Sequence, residues 1–190
     1  QKEQQNQQVK PIEKLNFNII LYNVGLNIKA TKRAIQLPIN IGLSFSAYSD
    51  DIQYLINIAK KKDKQCFIDL PLETKDYPIE DQGSLSLLTN QSEKENMLNL
   101  DIILNLANNY DGVIALPNET YTFAVASAIP MIDMVKQYNK MFIFNAKIGS
   151  NSFLIDEAIG IGLKAISEYK TIDKNYINKQ AITDMLMEYQ

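Results

Sequence analysis

Short apolar runs alternate with longer segments of helical period along this sequence, which is the pattern of repeated strand–helix units. Residues 18–24 predict a first strand, and residues 28–36 predict the helix that follows it. Residues 39–45 alternate apolar with polar positions and predict a second strand of period two. Further strands are predicted at 65–70, 113–116, 141–144 and 164–167, and further helices from Ile52, from Ser92 and at 122–139, 152–161 and 175–189. About six strands with intervening helices predict one α/β domain, built as a parallel barrel or sheet.

Two places in the sequence carry signals for the start of a helix. Ser49-Asp50 predicts a cap for a helix whose apolar positions form one stripe, at Ile52, Leu55, Ile56 and Ala59. Ser92 and Glu95 have the spacing of a capping box. The polar stretch 73–90 between these helices predicts a long loop, and loops of this length in small domains usually carry function or line a site.

The composition of the chain excludes several classes of function. Hydrophobic residues make up 46% and charged residues 22% of the 190 residues, which is an ordinary globular balance. There is no histidine, which excludes the Ser-His-Asp triad, the Cys-His dyad and every zinc site that contains histidine. The net charge is −3 and Arg33 is the only arginine, so nucleic acid is not an expected partner.

Three motifs have a structural interpretation that is simpler than the functional one. Cys66 lies in an apolar run and is predicted to be a small core residue rather than a reactive thiol. Gly160-Ile161-Gly162 has the start of a dinucleotide loop, but it follows a predicted helix and is interpreted as the end of that helix. The lysines at 60–62 and Lys64 follow a predicted helix and are interpreted as a solvated face.

The polar residues 1–14 predict a flexible lead-in to a domain at 15–190. No apolar run reaches the roughly 20 residues that a membrane helix needs, so no transmembrane segment is expected. A polar tether of this kind often follows a removed signal or anchor, which favours the periplasm or cell envelope as the location.

Two carboxylates lie at the predicted carboxyl end of the third strand. Asp69 is in the last part of that strand, and Glu73 follows shortly after it. Functional groups of (β/α) barrels collect at these strand ends, and two carboxylates there could do acid–base chemistry or hold an ion. In the alternative interpretation, Asp69 caps the next turn and Glu73 is solvated.

A longer set of motifs begins at the same place. Residues 69–73 read Asp-Leu-Pro-Leu-Glu, and they are followed by Asp-Tyr-Pro at 76–78, Asp-Gln-Gly at 81–83 and Leu-Leu-Thr at 87–89. This order resembles the divergent polysaccharide deacetylases, a branch of the NodB-type carbohydrate esterases, and the similarity extends over about residues 17–173. The resemblance implies an irregular (β/α) barrel as the fold.

The resemblance also implies where a catalytic site would lie. In that family an Asp and two His hold a divalent metal, usually zinc, whose bound water attacks an N-acetyl carbonyl while a neighbouring Asp acts as base. The paired Asp positions fall on Tyr22 and Asn23, the first His on Asp69 and the second on Leu116. The remaining remnant positions, including a later Asp and Arg, fall on Asn118, Glu119, Asn145 and Lys147. The resemblance therefore favours the fold but not the activity, and neither a metal nor another cofactor is expected.

Three hypotheses for the function follow. The favoured one is a non-catalytic domain that binds glycan or peptidoglycan fragments in a groove lined by Tyr22, Tyr48, Asp69, Glu73, Asn118 and Tyr121. The second is a structural or protein-interaction domain of the envelope, in which Tyr22, Leu116 and Pro117 fill the old pocket. The third is a carbohydrate deacetylase or hydrolase that uses a rearranged site.

Overall fold

Six parallel strands lie side by side in chain order, and each is joined to the next by a connection that contains a helix. The computed structural model describes residues 19–115, 120–144 and 152–166. The strands are β1 (Ile20–Val24), β2 (Gly42–Phe45), β3 (Gln65–Leu70), β4 (Gly112–Ala115), β5 (Met141–Ile143) and β6 (Ala165–Ile166). The helices are α1 (Ile28–Ile35), α2 (Ile52–Lys60), α3 (Glu93–Leu104), α4 (Val125–Gln137) and α5 (Ser152–Gly160), with a short 3₁₀ helix at Tyr121–Phe123.

The strands bury side chains on both faces of the sheet. On β3, Cys66, Ile68 and Leu70 belong to the large core that also contains the buried stripes of the helices. Phe67, on the opposite face, forms a second and smaller cluster with Ile114 of the next strand and Ile143 of β5. Burial on both faces is typical of a parallel sheet, whose two faces are both covered by other parts of the protein. The predicted α/β fold of the (β/α) barrel type is confirmed.

Several local predictions are confirmed. Strand β3 has the predicted bounds, and Cys66 within it is a fully buried free thiol. Burial raises the pKa of that thiol to about 12, which keeps it protonated and unreactive. Ser92 and Glu95 form both hydrogen bonds of the capping box at the start of α3. The four predicted apolar positions of α2 are all buried, and Gly162 ends the segment after α5 with a φ of +69°.

The predicted bounds of two elements and the predicted cap of a third are wrong. Strand β2 begins only at Gly42, and all four of its residues are buried because the sheet is covered on both faces. Helix α2 begins at Ile52 after an uncapped Asp51, while the Ser49 hydroxyl donates to the carbonyl of Gly25 instead. The single helix predicted at 122–139 is divided into the 3₁₀ helix and α4. The helix predicted at 175–189 lies outside the described residues.

The interpretation of the basic run as a solvated face is wrong for two of its four lysines. The ammonium of Lys60 pairs with Asp111 at 2.5 Å. Lys64 is only 7% exposed, and its ammonium donates to the backbone carbonyls of Leu37 and Ile39. The side chain of Lys64, next to β3, reaches backbone carbonyls in the connection between α1 and β2. The pattern of charges along the sequence does not show this contact.

No helix in the described ranges is both long enough and apolar enough to cross a membrane.

Gly112 is the position at which the sheet tolerates a side chain least. It pairs with Phe67 and Met141 in the register of β3, β4 and β5, and a Cβ there would overlap the carbonyl oxygen of Met141. We expect Gly112→Ala to lower the free energy of unfolding by about 3 kcal/mol, because two paired strands would have to separate.

Gly160 provides the matched control, since a Cβ there meets nothing within 4 Å. Gly160→Ala should raise the free energy of unfolding by about 0.5 kcal/mol through the lower entropy of the unfolded chain. Urea denaturation measures both, and equal stability of the two variants would contradict this strand register.

Candidate functional site

The candidate site is built at the carboxyl ends of the first three strands. Tyr22 and Asn23 lie near the end of β1, Asp69 lies near the end of β3, and Tyr48 follows β2 by three residues. Because the strands are parallel and adjacent, these residues come to the same edge of the sheet. This edge is where barrels of this type carry their functional groups.

The carboxylate of Asp69 is the centre of this edge. One oxygen, Oδ1, accepts a hydrogen bond of 2.5 Å from the hydroxyl of Ser44 on β2. The other, Oδ2, accepts a hydrogen bond of 2.9 Å from the backbone N–H of Asn23 on β1. The pairing of β1 with β2 shifts register between Leu21 and Val24, and Asn23 has a φ of +54°. The carboxylate therefore satisfies a backbone donor that the irregular end of β1 leaves without a strand partner.

Burial dominates the electrostatics of Asp69. The side chain is 4% exposed, and loss of solvation raises the pKa of Asp69 to about 6, although the hydrogen bonds from Ser44 and Asn23 oppose this. No lysine or arginine of the described residues forms an ion pair with it. The result is a buried carboxyl that exchanges its proton near neutral pH and is held by two protein donors.

Glu73 is half-buried, and its carboxylate anchors the long loop through hydrogen bonds. Its Oε2 accepts hydrogen bonds from the backbone N–H and the hydroxyl of Thr89, at 2.6 and 2.8 Å. Its Oε1 accepts from the hydroxyl of Thr120 at 3.3 Å, and its backbone carbonyl accepts from the N–H of Thr120. The alternative interpretation of Asp69 as a cap of the next turn is wrong, since its carboxylate joins β3 to β1 and β2.

The predicted tyrosines differ in exposure. Tyr22 is 37% exposed and Tyr48 is 39% exposed. The hydroxyl of Tyr48 accepts the N–H of Leu85, so the exposed ring is held against the loop. Tyr121 is fully buried, its hydroxyl has no partner among the described residues, and burial raises its pKa to about 12. Tyr121 therefore presents no ring face to solvent.

The other predicted site residues, Leu116, Asn118, Glu119, Asn145 and Lys147, lie outside the described residues. The sequence analysis missed Ser44, Thr89 and Thr120, which hold the two carboxylates. One signal was available for Ser44, because it is a polar residue inside an otherwise apolar strand. Thr89 belongs to the Leu-Leu-Thr motif at 87–89, but its hydrogen bonds to Glu73 are not visible in that motif, and Thr120 has no local signal.

The residues present do not fit the metal site that the resemblance implies. The ligand positions are occupied by Asn23, Asp69 and Leu116, and a leucine side chain has no donor atom. Both oxygens of the buried Asp69 carboxylate already accept protein hydrogen bonds. Over 19–115, 120–144 and 152–166, no group of three His, Cys, Asp or Glu residues could hold a metal ion. Asparagine, aspartate and leucine are a poor donor set for zinc.

The raised pKa of Asp69 makes the stability of the protein depend on pH. The ordinary pKa is 3.8 and the folded value is about 6, so the folded state binds a proton that the unfolded chain releases. The stabilisation is fully present below pH 4 and is lost as the pH rises through 6, which amounts to about 3 kcal/mol. Urea denaturation across this range measures it.

Asp69→Asn should remove this contribution, because the amide does not titrate. Ser44→Ala should instead move the transition to higher pH, since it removes a hydrogen bond that favours the ionised carboxylate. If the free energy of unfolding of Asp69→Asn depends on pH as that of the wild type does, the Asp69 carboxyl is solvated and the prediction is wrong.

Comparison with known proteins agrees with this architecture. The family model described as divergent polysaccharide deacetylase matches residues 19–190. The solved structure of an uncharacterized protein from Agrobacterium tumefaciens C58, ATU2773, is similar with a TM-score of 0.81 at 20% sequence identity. That similarity covers 90% of this chain and 69% of the other, and it shows a shared fold. None of the curated proteins matches this chain. The family match spans most of the chain and includes all six strands, so this chain belongs to the divergent polysaccharide deacetylase family.

Proposed function

We propose that this chain is a non-catalytic member of its family that binds a glycan at the carboxyl ends of β1, β2 and β3. The proposed ligands are oligomers of N-acetylglucosamine or fragments of peptidoglycan, and the proposed location is the periplasm or cell envelope. The observation that carries the proposal is the state of Asp69, whose buried carboxylate is held by Ser44 and Asn23.

The carboxylates of Asp69 and Glu73, the two candidates for catalysis, both accept hydrogen bonds that hold the local structure together. A general base must reach its substrate, but Asp69 is 4% exposed and its two oxygens face strand donors. The carboxylate of Glu73 accepts three hydrogen bonds, two from Thr89 and one from Thr120, and these bonds hold the loop in place. Moving either group toward a substrate would break these bonds, each of which contributes about 1 kcal/mol. This supports a role in binding over a role in turnover.

The exposed tyrosine rings support a carbohydrate as the ligand. Tyr22 and Tyr48 lie at the ends of neighbouring strands and are each more than one third exposed. Aromatic rings that are fixed in orientation provide apolar faces for sugar rings, while nearby polar groups supply specificity. The Tyr48 ring is fixed by its hydrogen bond to Leu85 and by Gly83, whose lack of a side chain leaves room for the ring.

A second candidate function is favoured by exposed aliphatic side chains near the same edge. Leu26 and Ile28, directly after β1, are 61% and 41% exposed. Ile79, in the long loop, is 92% exposed. Such side chains are typical of surfaces that contact other proteins, so an envelope interaction domain is the alternative to glycan binding.

Calorimetric titration with N-acetylglucosamine oligomers and peptidoglycan fragments, with mass analysis of the same sample, tests the proposal. We expect saturable binding with no deacetylated or hydrolysed product. Tyr22→Ala should weaken binding about fivefold, because loss of one stacking ring costs ~1 kcal/mol.

Tyr54→Ala is the matched control, since Tyr54 is 53% exposed but lies on α2 rather than at the strand ends. It should bind like the wild type. Release of acetate would overturn the non-catalytic assignment, and absence of binding at millimolar ligand would favour the interaction domain.

A further inference from the structure

A buried lysine that forms no ion pair with any carboxylate of the described residues lies at the opposite end of the sheet. Lys64 directly precedes β3 and is 7% exposed. Its ammonium donates to the carbonyls of Leu37 at 2.8 Å and Ile39 at 2.5 Å, which use two of its three N–H donors. Within the described ranges the only ion pairs are Lys60 with Asp111 and Lys75 with Asp76. The carbonyls solvate the ammonium but do not neutralise it, and a buried charge without a counter-ion is costly.

This lysine lines a pocket of about 450 Å³. The pocket lies between the connection from α1 to β2 and the connection from α2 to β3, at the amino ends of those strands. Its volume is within the range of sites for small molecules. It is separate from the candidate site, which is at the carboxyl ends. The lining residues are Ile35, Gln36, Leu37, Pro38, Ile39, Asn40, Lys62, Asp63 and Lys64.

The charges along the two connections are mostly positive. Lys62 and Lys64 both line the pocket, and Asp63 is the only acidic residue among the lining groups. Lys32 and Arg33 lie in the last turn of α1, which ends at the first lining residue, Ile35. The chain as a whole has a net charge of −3, so this concentration of cations around a concavity is local. Such a concavity attracts anions.

We propose that this pocket binds the oxyanion group, a carboxylate or phosphate, of a small molecule. The anion supplies the missing counter-charge to Lys64 and accepts its third N–H, while Lys62 at the rim adds a second cation. The pocket is larger than the anionic group alone, and the remainder of the ligand contacts the apolar side chains of Ile35, Leu37 and Pro38. This inference does not depend on glycan binding at the other end of the sheet.

A titration followed by two-dimensional NMR of the amide groups tests the proposal with inorganic phosphate and, separately, with acetate. We expect saturable shifts confined to residues 36–40 and 62–64. Lys62→Glu should weaken the anion affinity at least about tenfold, because it replaces an attraction by a repulsion at short range. Saturation with phosphate alone assigns a phosphate group, and saturation with acetate as well assigns a carboxylate.

Lys61→Glu is the control, because it makes the same change of charge at an exposed neighbour that does not line the pocket. Its affinity should stay within about twofold of the wild type. Equal weakening in the two variants would show diffuse attraction to a basic surface and overturn the proposal. Absence of saturable shifts up to 20 mM of either anion would overturn the proposal as well. A dissociation constant of 20 mM corresponds to a binding free energy of about 2 kcal/mol. Both variants change exposed side chains, and their thermal unfolding confirms that they are folded.

Discussion

The carboxylate of Asp69 holds three strands together at the carboxyl edge of the sheet. From β3, it accepts one hydrogen bond from the hydroxyl of Ser44 on β2 and one from the backbone N–H of Asn23 on β1. Without that acceptor, the irregular end of β1 would leave the backbone N–H of Asn23 without a partner in the neighbouring strands. The geometry of the candidate site follows from this bridge, because it fixes where the end of β1 lies relative to β2 and β3.

A carboxylate also holds the long loop after β3 in place. Glu73 joins the start of the loop to Thr89 near its end and to Thr120 after β4, and Tyr48 holds the middle of the loop through Leu85. Two acidic side chains at strand ends are suitable for acid–base chemistry in principle, but here the protein uses both as hydrogen-bond acceptors for its own backbone and hydroxyl groups. Both carboxylates therefore contribute to the local structure at this end of the sheet.

The two ends of the sheet balance their charges differently. At the amino end, the carboxylate of Asp111 accepts both the ammonium of Lys60 and the N–H of Cys66, so it joins the start of β3 to the segment before β4. Lys64 nearby has only carbonyl acceptors. At the carboxyl end, Asp69 is a buried acid, and no lysine or arginine in the part of the chain that the structure describes forms an ion pair with it. Among the described residues, the buried titratable group at the amino end is thus a lysine and the one at the carboxyl end is an aspartate.

The sequence by itself determined the elements whose cause is local. The bounds of β3, the capping box of Ser92 and Glu95 and the buried stripe of α2 follow from periodicity and from contacts within a few residues. The family resemblance located the candidate site on Asp69, and the strand order brought Asn23 to it. Only the tertiary structure decided what Asp69 and Lys64 contact, since their partners are 25 to 46 residues away along the chain. A side chain's partner depends on which strands are neighbours and how deeply each is buried, and neither quantity is encoded within a short window of sequence.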